Sequence, residues 1–350
     1  MKNVFFKNGT IAFMVLLLMF CFYPSSTGFK QDIKHLVFND GNTLYVGGAG
    51  PGNYTSIQSA INDASPGDTV FVFGTASPYY ENVVVNKSIF LIGEDKNMVV
   101  IDAGSYGAAV TITSDDVFVS GFTMICFHDN PNQFESELVD ILSVKNITIS
   151  DNIIQQNQIT LGSDRGGVIL RNSSYCFIQN NTIIKVKDNR PSWGIVLMLG
   201  SAFINVSGNE VYNYTGGIFV MGCSDNVIYM NYLHHNSDGI RTVLGNNNTI
   251  INNIIKYNTG EGISIYDGYE NIIFKNIITD NGEGDDIDDG IGITGGSDNY
   301  ISYNYISNNN PSGIQIISEY NNIINNHISN NKIGVFCNAG YNNYITKKYN

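Results

Sequence analysis

Positive charge is scarce in this chain. Eighteen lysines and arginines, of which four are arginine, stand against 31 aspartates and glutamates, and the formal net charge is -13. Binding to the phosphate backbone of nucleic acid requires a basic surface, so the balance argues against nucleic acid as a partner. Charged residues make up 14% of the sequence against a usual value of roughly 25%, while 43% is hydrophobic. A chain this apolar is not intrinsically disordered.

Cysteine is also scarce, and its spacing excludes a disulfide framework. Such a framework shows dense, regularly spaced cysteines in a short chain. After residue 28, this long chain has four widely separated cysteines, Cys126, Cys176, Cys223 and Cys337. We therefore expect four buried thiols rather than disulfides.

Long apolar runs are absent except near the start of the sequence. Ile11 to Tyr23 is an unbroken apolar run of 13 residues, whereas a transmembrane helix needs about 20. Lys2 and Lys7 precede the run, and small residues follow it up to Gly28. Residues 1–28 are therefore predicted to be a secretory signal peptide, with an uncleaved anchor as the alternative. We expect a secreted, extracellular or cell-surface monomer without a membrane span after cleavage, periplasmic if the host has an outer membrane.

Asparagine and glycine, in contrast, are abundant, with 48 and 36 residues, and both are poor helix formers. Many of them belong to a repeat in which G-I-x-I is followed, after five residues, by N-x-I/V. The repeat has a period of 22 or 23 residues with insertions of about five, and its glycine anchors are Gly167, Gly194, Gly217, Gly239, Gly262, Gly290, Gly313 and Gly334. Apolar residues alternate with period two inside each unit, which is typical of strands.

A unit of this length holds about three short strands and no helix, which fits one rung of a right-handed parallel β-helix. Equivalent residues of such rungs stack about 4.8 Å apart. We predict an all-β fold, a parallel β-helix solenoid of about eleven or twelve rungs over residues 70–350. Residues 29–69 are predicted to form an N-terminal cap with a short amphipathic helix over 55–65, which begins at a capping box, Thr55 to Gln58.

One asparagine recurs 14 residues after the anchor, and we interpret this column as structural, because asparagine tolerates left-handed backbone and bonds neighbouring main chain. Its predicted members are Asn152, Asn181, Asn231, Asn253, Asn276 and Asn304, with Asn209 fitting after a shift of one residue. His327 and Lys348 are predicted to replace asparagine in the last two copies.

Four segments near the start of the repeat region support a family resemblance: Tyr54 to Ile61 (YTSIQSAI), Pro66 to Val70 (PGDTV), Tyr80 to Val83 (YENV) and Asn86 to Glu94 (NKSIFLIGE). They resemble the opening of right-handed parallel β-helix repeat proteins of the pectin-lyase-like superfamily. The chain is most similar to secreted archaeal and bacterial members with NosD-type or carbohydrate-binding and sugar-hydrolysis (CASH) modules. The resemblance implies the fold for residues 44–346, but the superfamily includes lyases, hydrolases, epimerases, esterases and adhesins alike.

The sequence departs from the active-site patterns of this superfamily. Polygalacturonase-like hydrolases would need a G-H-G segment, yet no histidine here is flanked by glycines, and the Q-D and D-F-x-F-G segments of pectin methylesterases have no counterpart. NosD-type proteins are linked to copper delivery for nitrous oxide reductase. Met198 and Met221, in one register on adjacent rungs, would make a weak copper site, and packing is the preferred interpretation. His234-His235 is interpreted as a polar turn rather than a metal pair.

The position before each glycine anchor carries acids on three consecutive rungs: Asp238, Glu261 and Asp289. Carboxylates about 5 Å apart repel by about 3 kcal/mol at an effective dielectric constant of 20, so the column needs a cation, a raised pKa or outward splaying. The insertion from Gly282 to Gly290 adds further acids, and hard oxygen ligands at this density favour Ca²⁺. The predicted calcium ligands are Asp238, Glu261, Asp285, Asp286, Asp288 and Asp289, with a solvated acidic loop as the alternative.

Arg241 lies three residues after Asp238 and so beside this column. The resemblance to pectate lyases implies a basic residue that abstracts a proton next to a uronate carboxyl group, which assigns Arg241, Asp238 and Glu261 as candidate catalytic residues. The alternative for Arg241 is a salt bridge to the acids. Candidate carbohydrate-binding residues are three aromatics expected at the surface, Trp193, Tyr212 and Tyr214.

Three functions remain open from the sequence. The preferred one is a secreted or cell-surface protein that binds polysaccharide or another cell-envelope glycan without catalysis, because no complete catalytic set is present. The first alternative is a polysaccharide lyase, epimerase or glycosidase that acts on acidic polysaccharide through the acidic column. The second alternative is a NosD-like copper-handling or scaffolding protein.

Overall fold

A computed structural model describes residues 41–104, 107–128, 137–159, 165–186, 191–282, 288–338 and 341–346. The predicted signal peptide and the first part of the predicted cap lie outside these ranges. None of the helices found within them is both long enough and apolar enough to cross a membrane.

The chain coils through three parallel sheets, returning to each sheet once per rung. We number the strands β1 to β35 in chain order and name the sheets A, B and C. In the described residues the sheets contain 13, 11 and 11 strands, which confirms the predicted parallel β-helix of about eleven or twelve rungs.

Sheet A is the longest sheet. Its strands are β1 (Thr43–Val46), β2 (Thr69–Val72), β5 (Phe90–Gly93), β8 (Phe118–Ser120), β11 (Thr148–Ser150), β14 (Phe177–Gln179), β17 (Asn205–Ser207), β20 (Val227–Tyr229), β23 (Thr249–Ile251), β26 (Ile272–Phe274), β29 (Tyr300–Ser302), β32 (Asn322–Ile324) and β35 (Tyr344–Ile345). Because β1 pairs with β2, this sheet begins within the segment predicted as the cap.

Sheets B and C complete each rung. Sheet B contains β3 (Tyr79–Tyr80), β6 (Val100–Asp102), β9 (Thr123–His128), β12 (Ile153–Ile159), β15 (Thr182–Lys185), β18 (Glu210–Tyr212), β21 (Tyr232–His234), β24 (Ile254–Lys256), β27 (Ile277–Thr279), β30 (Tyr305–Ser307) and β33 (His327–Ser329). Sheet C contains β4 (Val83–Val85), β7 (Val110–Ile112), β10 (Val139–Leu142), β13 (Arg165–Arg171), β16 (Ser192–Met198), β19 (Gly216–Met221), β22 (Asp238–Val243), β25 (Ile263–Tyr266), β28 (Ile291–Ser297), β31 (Ser312–Glu319) and β34 (Ile333–Cys337).

One α-helix, α1 (Ile57–Asp63), lies between β1 and β2, and a short 3₁₀ turn covers Gly74–Ala76. The side chain of Ser56 caps α1 by accepting the backbone N–H of Ser59 at 3.1 Å. The Glu81 carboxylate accepts the backbone N–H groups of Ile57 and Gln58 at 2.8 and 2.9 Å, which satisfies donors that the first helical turn leaves open. The helix is shorter at both ends than the predicted range 55–65, because Ser56 and Ala64 have extended backbone and act as its caps.

The core is a stack of aliphatic side chains along the inside of the three sheets. In sheet C, Ile218, Ile240 and Ile263 occupy one inward column on consecutive rungs and are fully buried. An anchor glycine directly precedes each of these isoleucines in the sequence, at the point where the chain enters the sheet. A methyl group on Gly217 would lie 2.6 Å from the carbonyl oxygen of Gly239, so only glycine fits between these rungs.

Buried asparagine ladders hold the turns together, and there are three in the described residues. In each ladder a backbone N–H donates to the side-chain Oδ1 of the asparagine on the next rung. The first contains Asn152, Asn181, Asn209, Asn231, Asn253, Asn276, Asn304 and Asn326. The second contains Asn226, Asn248, Asn271, Asn299, Asn321 and Asn343; the third contains Asn236, Asn258, Asn281, Asn309 and Asn331.

The structural interpretation of the asparagine column is confirmed, with one correction. Asn326, rather than His327, continues the first ladder, because its Oδ1 accepts the backbone N–H of Asn304 at 3.0 Å. His327 is exposed at the start of β33. Lys348 lies outside the described residues.

The cysteines follow the prediction except at the far end. Cys126, Cys176 and Cys223 are buried, whereas Cys337 is exposed. Cys337 pairs in register with the buried Ile316, so its column faces inward. It lies in the last strand of sheet C within the described residues, where no further strand covers it.

Candidate functional site

The candidate site lies where the strands of sheet C begin. Gly216 pairs in register with Asp238. The N–H groups of Gly239 and Gly262 donate to the carbonyl oxygens of Glu261 and Asp289, which places the three acids on successive rungs. The structure therefore brings together the predicted column, and all three carboxylates are largely buried.

Arg241 is paired with two of these acids. Its Nη2 lies 2.7 Å from Oδ2 of Asp238 and 3.6 Å from Oε2 of Glu261. Its Nε donates to the hydroxyl of Ser264 at 3.4 Å, and Tyr266 donates its hydroxyl proton to Oε2 of Glu261 at 3.2 Å. The salt bridge considered from the sequence is therefore present, and Arg241 is the counterion of Asp238 and Glu261.

Aromatic rings flank the guanidinium. The Trp193 ring stacks on Phe219 with a centroid distance of 4.5 Å and an interplanar angle of 22°. The guanidinium carbon of Arg241 lies 5.9 Å from the Trp193 ring and 5.4 Å from the Tyr266 ring, within the usual range of a cation–π contact. Trp193 can lie flat because Gly216, on the next rung, has no side chain; a methyl group there would overlap the indole.

Burial controls the ionisation of the column. It raises the pKa of Glu261 to about 7, and the negative charge of Asp238 adds to the shift while Ser264 and Arg241 oppose it. Burial also raises the pKa of Asp238, again against the opposing charge of Arg241. The Tyr266 hydroxyl has its pKa raised to about 12 by burial and by the charge of Glu261, so it remains a proton donor at neutral pH.

Asp289 differs from the other two acids. It is fully buried, and its Oδ1 accepts the backbone N–H of Ser312 at 3.1 Å. Burial raises the pKa of Asp289, and hydrogen bonds from Ser312 act in the opposite direction. Among the described residues, its Oδ2 has no hydrogen-bond partner.

Only some of the predicted calcium ligands lie within the described residues. Asp285 and Asp286 lie outside the described residues. Within the described ranges, no group of three or more His, Cys, Asp or Glu side chains is arranged to hold a metal ion. The calcium site therefore stays a prediction.

The other two predicted sugar-binding aromatics, Tyr212 and Tyr214, lie outside the site around Trp193. Tyr212 is half-buried on the outer face of sheet B, where it stacks on His234. The prediction of a surface position is wrong for Tyr214, which is 3% exposed. Its ring fills the core and its hydroxyl donates to the carbonyl oxygen of Ile184 at 3.3 Å, so Tyr214 cannot stack on a sugar.

Three residues of the site were not predicted from the sequence: Phe219, Ser264 and Tyr266. A signal for the first two was present, because Phe219, Arg241 and Ser264 share one register position on consecutive rungs, two residues after the anchor. Nothing in the repeat distinguished Tyr266 from the many other tyrosines of this chain.

The arrangement can make several kinds of contact with one ligand. The rings of Trp193 and Phe219 provide an apolar plane, Arg241 provides donors, and Glu261 can give or take a proton near neutral pH. An apolar surface with a few convergent polar groups of perturbed pKa is typical of ligand sites.

Sequence comparison gives one family match. The model of the NosD family, described as periplasmic copper-binding protein, matches residues 150–288. No curated protein matches the chain significantly.

Three solved structures illustrate the structural similarity. The A-module of mannuronan C-5 epimerase AlgE4 from Azotobacter vinelandii is 14% identical, with 87% of this chain and 100% of that chain covered and a TM-score of 0.56. The AlgE6 A-module from the same organism is 15% identical, with 83% and 93% covered and a TM-score of 0.51. The DFA-IIIase from Arthrobacter chlorophenolicus A6, in complex with GF2, is 12% identical, with 86% and 93% covered and a TM-score of 0.66.

These low identities establish the fold alone. The aligned regions make up 83–87% of this chain. The NosD match includes Asp238 and Glu261 but ends at residue 288, one residue before Asp289. The chain is thus a right-handed parallel β-helix protein of the pectin-lyase-like fold.

Proposed function

We propose that this protein binds a glycan on the outer face of sheet C, with one sugar ring stacked on Trp193. The observation that carries the proposal is the indole of Trp193, held flat on Phe219 beside the guanidinium of Arg241. Flat apolar faces of sugar rings suit such an aromatic plane, and their hydroxyl groups suit the charged groups next to it.

The polar groups would orient the sugar. Arg241 has donors beyond those used by its two carboxylate partners, because a guanidinium has five N–H groups. The carboxylates of Asp238 and Glu261 are acceptors for sugar hydroxyls. The predicted signal peptide supports the same function, since an exported protein meets polysaccharide and envelope glycans, and similar structures include proteins named as mannuronan epimerases.

Glycan arrays followed by calorimetry on the best ligand would test this function. Trp193→Ala should weaken binding about tenfold or more, because it removes both the stacking surface and its buried area. Phe203→Ala is the matched control, since Phe203 is also an exposed, stacked aromatic residue. Its ring centroid lies 5.0 Å from that of Tyr175, in the turn between β16 and β17. Absence of glycan binding, or equal loss in both variants, would contradict the proposal.

Acid–base catalysis on the bound glycan is a second candidate function, favoured by one observation. Glu261 is a buried carboxyl group whose pKa of about 7 suits proton transfer at neutral pH, and Asp238 lies on the adjacent rung. The assay is NMR of acidic polysaccharides after incubation with the protein, which detects cleavage, elimination and epimerisation. Product that disappears in Glu261→Gln, while binding persists, would support catalysis; absence of product with the parent would contradict it.

Calcium binding next to the column is a separate proposal. The buried Oδ2 of Asp289 lacks a hydrogen-bond partner among the described residues, and Asp288 is its neighbour. A ligand whose concentration is about 100 times its dissociation constant stabilises a fold by about 2.7 kcal/mol. Calcium should therefore raise the melting temperature, and Asp289→Asn should reduce that increase. An unchanged melting curve up to millimolar calcium would refute this site.

A further inference from the structure

Eight N-x-S/T sequences follow residue 28, and this motif is the acceptor for N-linked glycans on the surface of exported proteins. The fold separates the eight by exposure. Five of their asparagines are exposed at turns: Asn86, Asn146, Asn172, Asn180 and Asn247. All of these except Asn180 lie where the chain passes from a strand of sheet C to the next strand of sheet A. We call this series of turns the C–A edge.

The other three motifs are poorly placed for a glycan. Asn205 lies within β17, its Oδ1 is buried, and Ser207, which supplies the hydroxyl group of that motif, is buried as well. Asn53 donates its Nδ2 to the carbonyl oxygen of Gly47. Asn213 is half-buried. The folded molecule therefore has room for glycans mainly along one edge.

Asn172 and Asn247 present their amide groups at this edge. Both are exposed, with left-handed φ angles of 50° and 53°. Nδ2 of Asn172 donates to the hydroxyl group of Ser143 at 3.2 Å, and Nδ2 of Asn247 donates to the carboxylate of Asp225. A side-chain amide has two N–H groups, so one such bond leaves the other N–H of each residue for substitution.

An apolar ridge lies on the same edge. Its members are Tyr175, Leu199, Phe203 and Leu244, which are 50–66% exposed and lie within four consecutive rungs. All four have left-handed φ angles, a conformation that bulky residues rarely adopt. These turn positions suit glycine or asparagine, yet here they direct large apolar side chains into solvent. Groups of exposed apolar side chains mark a surface that interacts or is covered.

The two glycan acceptors flank this ridge. The backbone N–H of Asn172 donates to the carbonyl oxygen of Met198 at 3.2 Å, which places Asn172 one rung from Leu199. Asn247 follows Leu244 by three residues in the same turn. Rungs are about 4.8 Å apart, so Leu199 and Leu244 are separated by about 10 Å along the edge. Oligosaccharides on Asn172 and Asn247 can cover that distance from both sides.

We propose that Asn172 and Asn247 carry N-linked glycans that cover the apolar ridge, and that Asn86 and Asn146 extend the modified edge. In the transfer, Nδ2 attacks the anomeric carbon of a lipid-linked oligosaccharide phosphate. The bond from this carbon to the phosphate oxygen breaks, Nδ2 loses one proton, and the lipid phosphate leaves. The export pathway supplies the donor and the transferase, so the proposal rests on the predicted signal peptide.

The modification leaves the proposed glycan-binding site open. Trp193 is the second residue of β16, whereas the C–A edge begins after Met198, the last residue of this strand. The acidic column also lies where the strands of sheet C begin. Glycans at the C–A edge therefore project from the other end of these strands.

Glycopeptide mass spectrometry of the protein purified from its own host tests the modification. Glycans should occupy Asn172 and Asn247 and be absent from Asn205. Thr249→Val should abolish the glycan on Asn247, whereas Thr249→Ser should keep it, because the motif requires only a hydroxyl residue at this position. Asn342 is an internal control, since it is exposed with a φ of 60° but has no hydroxyl residue two positions later.

Size-exclusion chromatography of host-expressed variants tests whether the glycans cover the ridge. Asn172→Gln combined with Asn247→Gln should associate at concentrations where the parent is monomeric, and adding Leu199→Ser and Leu244→Ser should restore the monomer. Asn180→Gln is the matched control, because it removes an exposed motif from a different edge, and it should stay monomeric.

Two results would overturn the proposal: unmodified Asn172 and Asn247 in the protein from its host, or a double variant that stays monomeric. Circular dichroism identifies any variant that fails to fold. In that case Ser174→Ala with Thr249→Val removes the same two glycans and keeps both asparagines. Glycan binding around Trp193 is measured separately and does not depend on either outcome.

Discussion

Glu261 should make the stability of this protein fall as the solution becomes more alkaline. Burial raises its pKa from the ordinary 4.5 to about 7. Between these two values the unfolded chain has an ionised Glu261 while the folded protein keeps it protonated. Stability therefore decreases as pH rises through this window, and at higher pH the folded state must hold a buried charge.

The size of the effect follows from the pKa shift. Each pKa unit corresponds to 1.36 kcal/mol, so a shift of about 2.5 units gives roughly 3 kcal/mol as an upper value. Solvent screens this little, because Glu261 is 8% exposed. Glu261→Gln removes the titration while keeping the shape of the side chain.

The assay compares melting temperatures at pH 5 and pH 8. Other carboxylates titrate in both proteins, so the informative quantity is the difference between parent and variant. The melting temperature of Glu261→Gln relative to the parent should be several degrees higher at pH 8 than at pH 5. The conversion is that 1 kcal/mol shifts the melting temperature of a 150–250-residue domain by about 2–4 °C. Glu270→Gln, at an exposed turn, should show no such gain. If the melting temperatures of the parent and of Glu261→Gln changed in parallel with pH, this prediction would be wrong.

Three further changes probe the fold and the site. Arg241→Ala leaves two buried carboxylates without their counterion and should cost about 3–5 kcal/mol at pH 8 and less at pH 5, as measured by urea unfolding at both values. Asn253→Ala removes a buried ladder member and should lower the free energy of unfolding by about 2–5 kcal/mol, because it leaves backbone groups unsatisfied. Asn322→Ala, on the outside of β32, should lower it by less than 1 kcal/mol. Equal losses in the two variants would contradict a structural role of the ladder. Gly217→Ala forces a methyl group against a backbone oxygen 2.6 Å away and should lower the melting temperature more than Gly222→Ala. At Gly222, φ is 59° but the space is open, so backbone strain alone costs about 1–2 kcal/mol. The reverse order of melting temperatures would show that the rungs can separate at Gly217.

Much of the fold could be predicted because each rung repeats the same local pattern. The 22- or 23-residue period fixes which residues stack, so the glycine anchors and most of the first asparagine ladder follow from the sequence. The same arithmetic placed Asp238, Glu261 and Asp289 on neighbouring rungs. Where the period was counted one residue out, the prediction failed, as in the exchange of Asn326 for His327.

The composition of the candidate site depended on the direction of individual side chains. Tyr212 and Tyr214 are two residues apart, yet Tyr212 faces outward and Tyr214 fills the core, because the chain turns between sheets B and C at this point. Alternation with period two predicts the facing of residues within a strand. It does not apply across such a turn.

The period of the repeat therefore predicts the pitch of the solenoid, its parallel strands and the residues that recur on each rung. All of these are set by contacts between equivalent positions of successive units. Which contacts those residues make depends on the folded molecule. The contacts of Arg241 with two acids, of Tyr266 with Glu261 and of His234 with Glu210 depend on side-chain rotamers and burial at single rungs. A repeat cannot encode such contacts, because they arise where the rungs differ from one another.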